Sequence, residues 1–520
     1  ENKAGEEGEE EEEETPDAVC LTPNAALART PRFSNKGDRL AYFTSEKGFP
    51  THNGAFQLVV MDWADWAGAA EGGSPPPSSR VVVDVVDDPA PAAFPGLWTM
   101  SMPSRPWAPD DSALFLNSGW RSAMAMLRVD AASGEVTRLS SATSILEGEG
   151  HGTGDLSEAS AAMMGLGDYG MLFTASCPNN PGGLGLLLPT DSSAPYLSSF
   201  EVIKGPEGCG SLQFPYVAQC QPKAPSASAE LAEKIRGISW KIVKVQTPGG
   251  GPEIEAILWL PSPLSTQKWK KPEDEEGATV LPPLIVSPHG GPHSCSMTMF
   301  IPAYAYYVAS QGYALLLPNY RGSTGFGRLA LESLPGRCGT QDIQDCVLCT
   351  KAVLEAEGPP VVDKDRVVMV GGSHGGFLTG HGIGQYPDLF KVGVLRNPVC
   401  NIASMCSVSD IRDWCFVEAL GGDGYDFSAY QRPEPGDLER MWASSPIAHA
   451  DKVVAPMLMC LGGVDRRVPP SQGLEYYHYL KARGIETRML WYPEDCHAID
   501  KVGSDADEWV NVMQWLNKYV

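Results

Sequence analysis

Positive charge is in short supply in this chain of 520 residues: 39 Lys and Arg stand against 64 Asp and Glu, a net charge of −25. Nucleic-acid phosphates are held by basic patches, and no basic run occurs, so no nucleic-acid partner is expected. Long apolar runs are missing as well. None approaches the roughly 18 residues that a membrane-crossing helix needs, and no secretory leader is visible, so no membrane partner is expected either. Metal-binding cysteine pairs are also wanting. The 13 Cys are odd in number and follow no framework spacing. Cys346-x-x-Cys349 sits in a stretch that reads as helix and lacks a second ligand pair, which argues against zinc. No metal and no cofactor is expected, and the thiols fit a reduced intracellular protein.

What is present is apolar and anionic. Hydrophobic residues make up 43%, with 13 Trp, enough for more than one large core. Residues 1–14 hold nine Glu against one Lys, so residues 1–20 read as an acidic, disordered segment. The chain begins Glu1-Asn2-Lys3 without Met, and a processed or truncated product is expected.

The first half reads as β structure. A turn rich in Asn, Gly and Asp leads into a strand at Asn35-Lys36-Gly37-Asp38-Arg39-Leu40-Ala41-Tyr42-Phe43, and a strand ending in Asp62 follows. The pattern returns at Pro109-Asp110-Asp111-Ser112-Ala113-Leu114-Phe115 with a strand ending in Asp130, and more weakly at Gly167-Asp168-Tyr169-Gly170. Such repeats suggest propeller blades, but only three or four fit before residue 225, fewer than most propellers carry. Around residues 221–228 the composition turns to linker. Beyond it, short apolar runs bounded by Gly or Pro (residues 284–286, 313–317, 366–370, 392–395, 457–461 and 487–492) predict parallel strands covered on both faces.

The third of these strands carries the most informative motif. Val367-Val368-Met369-Val370 runs into Gly371-Gly372-Ser373-His374-Gly375 and then a predicted helix. Strand, Gly-x-Ser-x-Gly turn and helix together present a serine on a tight bend, with flanking glycines that spare the crossing backbone a Cβ. Asp465 follows the strand ending at Leu461, and His497 follows the strand ending at Tyr492. The order Ser373, Asp465, His497 is that of α/β-hydrolases. Here Ser373 is the expected nucleophile, His497 its general base and Asp465 the carboxylate that orients the imidazole, with Asp495 a nearby competitor. His381, His449 and His478 read as ordinary helix residues. The turn His289-Gly290-Gly291-Pro292-His293 suits an oxyanion hole, with backbone N–H groups of Gly291 and His374 as donors. The fold class expected is α/β: an α/β-hydrolase domain over 226–520 and a partial β-propeller over 21–225.

With these residues assembled, the chain resembles the acylaminoacyl-peptidases (acylamino-acid-releasing enzymes) of the prolyl oligopeptidase family of serine peptidases. The resemblance is carried by His289-Gly-Gly-Pro292, Asn319-Tyr-Arg-Gly-Ser-Thr-Gly-Phe-Gly327, Gly371-Gly-Ser-His-Gly-Gly376, Asp465-Arg-Arg-Val-Pro-Pro470 and His497. It implies that Arg467, two residues after the Asp, binds a substrate carbonyl, and that Val468 lines the specificity pocket, joined by an aromatic from Trp414-Cys-Phe416. The implied activity is release of N-acylated, typically acetylated, amino acids from blocked N-termini of short peptides through an acyl-enzyme. A cytoplasmic location and a homo-oligomer are implied too. Relatives carry a longer N-terminal region, so the missing part is expected to stay bound non-covalently after a cut in the acidic stretch. A broader esterase, a dipeptidyl-peptidase and a catalytically silent propeller scaffold remain open as alternatives.

Overall fold

The computed structural model describes residues 20–22, 25–45, 51–63, 78–139, 146, 153–190, 196–197, 200–204, 229–270, 280–422 and 425–520. The acidic stretch 1–14 and the linker 221–228 lie outside these residues.

Three antiparallel sheets come first. Strands β1 (Leu27–Phe33), β2 (Arg39–Ser45), β3 (Gln57–Asp62) and β4 (Ser79–Val83) pair in sequence order. Strands β5 (Ala113–Trp120), β6 (Ala123–Asp130) and β7 (Val136–Arg138) form the second sheet. Strands β8 (Ser160–Gly167), β9 (Gly170–Cys177), β10 (Asn180–Pro189) and β11 (Phe200–Lys204) form the third. The Asn/Asp turns join neighbouring sheets: the Asn35 backbone N–H and side-chain amide both donate to Asp111 Oδ1 at 2.8 Å. Successive antiparallel sheets are consistent with blades of a propeller that does not close. Each expected strand pair is present. The outer strands β1, β4, β8 and β11 carry no comparable apolar signal.

The second half builds one eight-stranded sheet: β12 (Ser239–Gln246), β13 (Glu253–Leu260), β14 (Leu284–Val286), β15 (Ala314–Asn319), β16 (Val367–Gly372), β17 (Gly393–Arg396), β18 (Met457–Gly462) and β19 (Thr487–Tyr492). Its order is β12-β13-β15-β14-β16-β17-β18-β19. The six strands expected from apolar runs are parallel, whereas β13 runs antiparallel to both its neighbours. The β12–β13 hairpin corrects a wholly parallel picture. Strand β12 lies at the edge and is only partly buried, so no continuous apolar run announces it.

Helices α1 (Gln341–Leu354), α2 (His374–Gln385), α3 (Arg412–Leu420), α4 (Ser471–Ala482) and α5 (Val502–Tyr519) flank this sheet. Alternate strand residues face opposite sides, as pleating requires. Val367 and Met369 pack with Phe377 and Tyr476 from α2 and α4. Val368 and Val370 belong to the other core, with Val512 and Leu516 of α5 and with Phe173 and Leu187 of the third antiparallel sheet. The antiparallel region is thus continuous, through packed side chains, with one face of the large sheet.

Candidate active site

Parallel strands that end together bring residues distant in sequence to one rim. Ser373 follows β16 with φ 57° and ψ −122°, a backbone state strained for any residue but glycine. Local packing enforces it. Its N–H donates to the Arg396 carbonyl at 2.9 Å and its carbonyl accepts from Phe377 N–H at 3.0 Å. A Cβ on Gly371 would overlap the Gly375 carbonyl, and one on Gly375 would overlap that of Pro288. The glycines therefore let strand, turn and helix cross within van der Waals contact.

Asp465 lies beyond β18 and His497 beyond β19. His497 Nδ1 hydrogen-bonds Asp465 Oδ2 at 2.6 Å. The carboxylate is buried and its Oδ1 accepts the backbone N–H groups of Arg467 and Val468 at 2.9 and 3.0 Å. An ionised carboxylate held by two amides fixes the imidazole tautomer with Nδ1–H toward the acid and Nε2 free as a base. Asp495, the competing acid, is occupied elsewhere: its oxygens accept from Ser504 Oγ at 2.7 Å and Lys501 N–H at 3.3 Å.

Ser373, His497, Gly291, Trp414, Arg467 and Val468 line one cavity of about 350 Å³. Its remaining wall combines Val399, Met405, Ile411 and Val417 with His52, Asp413 and Glu418. Trp414 is buried and its Nε1–H donates to the Gly291 carbonyl at 3.0 Å, which anchors the glycine turn. Phe416 faces the core instead. Gly290 abuts the serine: a Cβ there would stand 3.3 Å from Ser373 Cβ. The His289 ring stacks on Tyr320 at 4.4 Å, and the Tyr320 hydroxyl donates to the His289 carbonyl at 3.0 Å. Arg467 pairs with Asp410 at 2.8 Å and is half-exposed. The side chain of His374 is fully buried and bonds Asp342 at 2.9 Å. Its backbone N–H, the first of α2, has no acceptor within the helix. His381 is a core histidine that burial pushes down to about 3. Cys346 and Cys349 are fully buried in α1, and burial pushes both thiols up.

Some site residues escape sequence reasoning. Val417 and Glu418 of α3 share a helix face with the expected Trp414 at i, i+3 and i+4, a spacing that marks a buried face and not a pocket. Glu418 is fully buried against His293 at 3.0 Å. Burial alone would push the His293 imidazole down, but the Glu418 carboxylate outweighs it and holds it above its usual value. Asn397, at φ 38° after β17, ties three loops together. Its Oδ1 accepts from Gly462 N–H at 2.8 Å, and its amide donates to the His497 carbonyl at 2.9 Å. No motif flags it.

Comparison with known proteins agrees with this geometry. Residues 299–520 match the prolyl oligopeptidase family, and residues 1–148 match the N-terminal domain of acylamino-acid-releasing enzyme. The acylamino-acid-releasing enzyme of Arabidopsis thaliana is 36% identical over 512 residues, covering 96% of this chain and 60% of its own. That of Sus scrofa is 34% identical over 507 residues, covering 95% and 59%. The chain thus spans about 60% of the length of these curated relatives. The acylaminoacyl peptidase of Pyrococcus horikoshii superposes with a TM-score of 0.63 at 18% identity, over 93% of this chain and 62% of that one, a likeness of fold. An α/β-hydrolase sheet with these motifs on its rim and these relatives along nearly its whole length belongs to the prolyl oligopeptidase family.

Proposed function

We propose that this chain carries the catalytic machinery of a serine peptidase that releases N-acylated, chiefly acetylated, amino acids from blocked N-termini of short peptides. Ser373 attacks the carbonyl of the acylated residue, His497 takes its proton and returns it to the departing amine, and Asp465 holds the imidazolium. The resulting acyl-enzyme is hydrolysed by water through the same base. Backbone N–H groups of Gly291 and His374 receive the oxyanion, Arg467 holds a substrate carbonyl, and Val468 and Trp414 wall the pocket for the acylated side chain. The observation that supports this most is the 2.6 Å His497–Asp465 bond at the cavity lined by Ser373. The apolar part of the lining supports an uncharged, acylated residue, and Asp413 and Glu418 on the same wall are why a free-amine substrate belongs in the test.

The reading includes a hydrolase domain over 226–520, a partial propeller over 21–225 and an acidic segment over 1–20. It also includes a cytoplasmic homo-oligomer to which an N-terminal remainder of the same polypeptide is held non-covalently. Light scattering with intact-mass measurement checks the last two points.

The test compares hydrolysis of acetyl-alanyl anilide, a free-amine dipeptidyl anilide and a short-chain nitrophenyl ester, each with Ser373→Ala alongside. Preference for the acetylated anilide and loss of all turnover in the variant are expected. Preference for the free amine overturns the substrate class; preference for the ester favours an esterase; turnover retained in Ser373→Ala overturns the mechanism.

A further inference from the structure

The wall of the same cavity holds a group that hydrolysis does not use. One ligand atom from each of His52, His293 and Glu418 lies within 4.8 Å of the other two. The three come from separate parts of the chain: a loop before β3, the turn after β14, and α3. Glu418 Oε1 contacts His293 Nε2 at 3.0 Å, while its Oε2 is buried without a hydrogen-bond partner. A buried carboxylate oxygen left unpaired is costly unless something occupies it. The His52 and His293 rings stand 5.2 Å apart between centroids, and the Asn53 amide contacts the His293 carbonyl at 3.4 Å, so the loop is docked against the turn.

We propose that His52, His293 and Glu418 bind one divalent transition-metal cation of the zinc class at the wall of the cavity. Two imidazoles and a carboxylate are a ligand set of that class. His293 is oriented as a ligand: its Nδ1 faces the Gly322 carbonyl at 2.8 Å and so must donate there. That leaves Nε2 pointing at Glu418, with the backbone carbonyl fixing the ring as an outer partner does in metal sites. Tetrahedral zinc at about 2.0–2.1 Å from N and O separates its ligands by roughly 3.3 Å, close to the Nε2–Oε1 distance. Binding replaces the proton shared between Nε2 and Oε1, which leaves to solvent, and His52 closes the third position from its exposed loop. A fourth position stays open on the cavity side, where Glu418 and His52 line the same space as Ser373.

Zinc titrated into the full chain by calorimetry, with cobalt as a spectroscopic substitute, tests this. Expected are one tight site per chain and visible cobalt bands of low-symmetry coordination. His52→Ala and Glu418→Gln are each expected to weaken binding about tenfold or more, while Cys496→Ser, which removes the exposed thiol beside His497, leaves it unchanged. Should Glu418→Gln fail to fold, His52→Ala, a change at an exposed residue, decides. Absence of binding, retention of parental affinity in His52→Ala, or loss of binding in Cys496→Ser would each overturn the site.

Discussion

The two halves of the molecule meet the cavity on unequal terms. From the eight-stranded sheet come the serine, the acid, the imidazole and most of the apolar wall. From the three antiparallel sheets, among the described residues, comes His52 alone. The sheet rim is crowded: a Cβ on Gly462 would overlap the Cys496 carbonyl, so the β18 turn and the His497 loop touch through bare backbone. The antiparallel half has such approaches too, since a Cβ on Gly134 would overlap the Val82 carbonyl, but they lie away from the cavity lining. Chemistry is therefore specified at the rim of the large sheet, and the antiparallel half contributes one side chain to the cavity. The difference follows from packing. Parallel strands buried on both faces transmit position rigidly, whereas loops between antiparallel strands are held by a few hydrogen bonds.

The sharpest way to break the comparison is at the rim. Asp465→Asn keeps the shape but accepts only half of what it accepted, and the imidazole loses its orienting charge. A drop of about 10⁴ in kcat with an unchanged far-ultraviolet spectrum is expected. Activity within tenfold of the parent would move the acid role to another residue.

The joint between the halves is the next target. Glu255 of β13 is buried, takes the Arg121 guanidinium at 3.1 Å and accepts from Ser122 Oγ at 2.7 Å. Asn319 in turn donates to Ser122 Oγ at 3.0 Å. Glu255→Ala leaves a largely buried cation with only its longer contact to Glu253 at 3.6 Å, at a cost of about 3 kcal/mol. Chemical denaturation reads this directly, and the expected sign is a clear fall in midpoint. Replacing Glu255 and Arg121 together by apolar residues should recover much of it, because the stranded charge is then gone. No recovery would mean that the hydrogen bonds of Ser122, and not the ion pair, hold the joint.

Asn397 tests whether rim precision comes from side chains as well as backbone. Asn397→Ala leaves the Gly462 N–H and the His497 carbonyl without their buried partner, at about 1–3 kcal/mol. Since His497 is tied through it, kcat should fall while KM changes little. A fall in stability with kcat intact would make Asn397 a structural residue only.

How much of this was legible follows the same division. The central strands of the large sheet announce themselves because two-sided burial leaves little room for polar residues, and Ser373 and Asp465 each follow such a strand, whereas His497 follows β19, an edge strand with Arg488 and Trp491 exposed. Strand β12 is not announced, since an edge strand needs no continuous apolar run. In the antiparallel half, Asn35 and Asp111 are visible as turn residues, although their hydrogen bonds run between sheets, but the outer strands are not visible. His52, His293 and Glu418 were illegible as a group: their sequence separations follow no ligand spacing, and only the docked loop brings them together. Asn397 is hidden for a related reason, because its partners lie 65 and 100 residues away.

The smallest effect concerns the acid that sequence alone could not dismiss. Asp495 is as buried as Asp465 and two residues from His497, so proximity along the chain favours it. Its hydrogen bonds run the other way, to Ser504 in the first turn of α5 and to the backbone N–H of Lys501 that precedes that helix. It therefore holds the far side of the His497 loop to α5, and its charge lies beside the N-terminus of that helix, where an anion is stabilising. Asp495→Asn keeps one acceptor and loses the charge, so a stability loss of about 1 kcal/mol is expected, with kcat within a few-fold of the parent. Measured beside Asp465→Asn, the two isosteric changes separate an acid that faces the imidazole from one that anchors its loop. Equal losses of kcat in both variants would show that the imidazole is sensitive to charge anywhere on the loop, and the distinction between the two carboxylates would have to be abandoned.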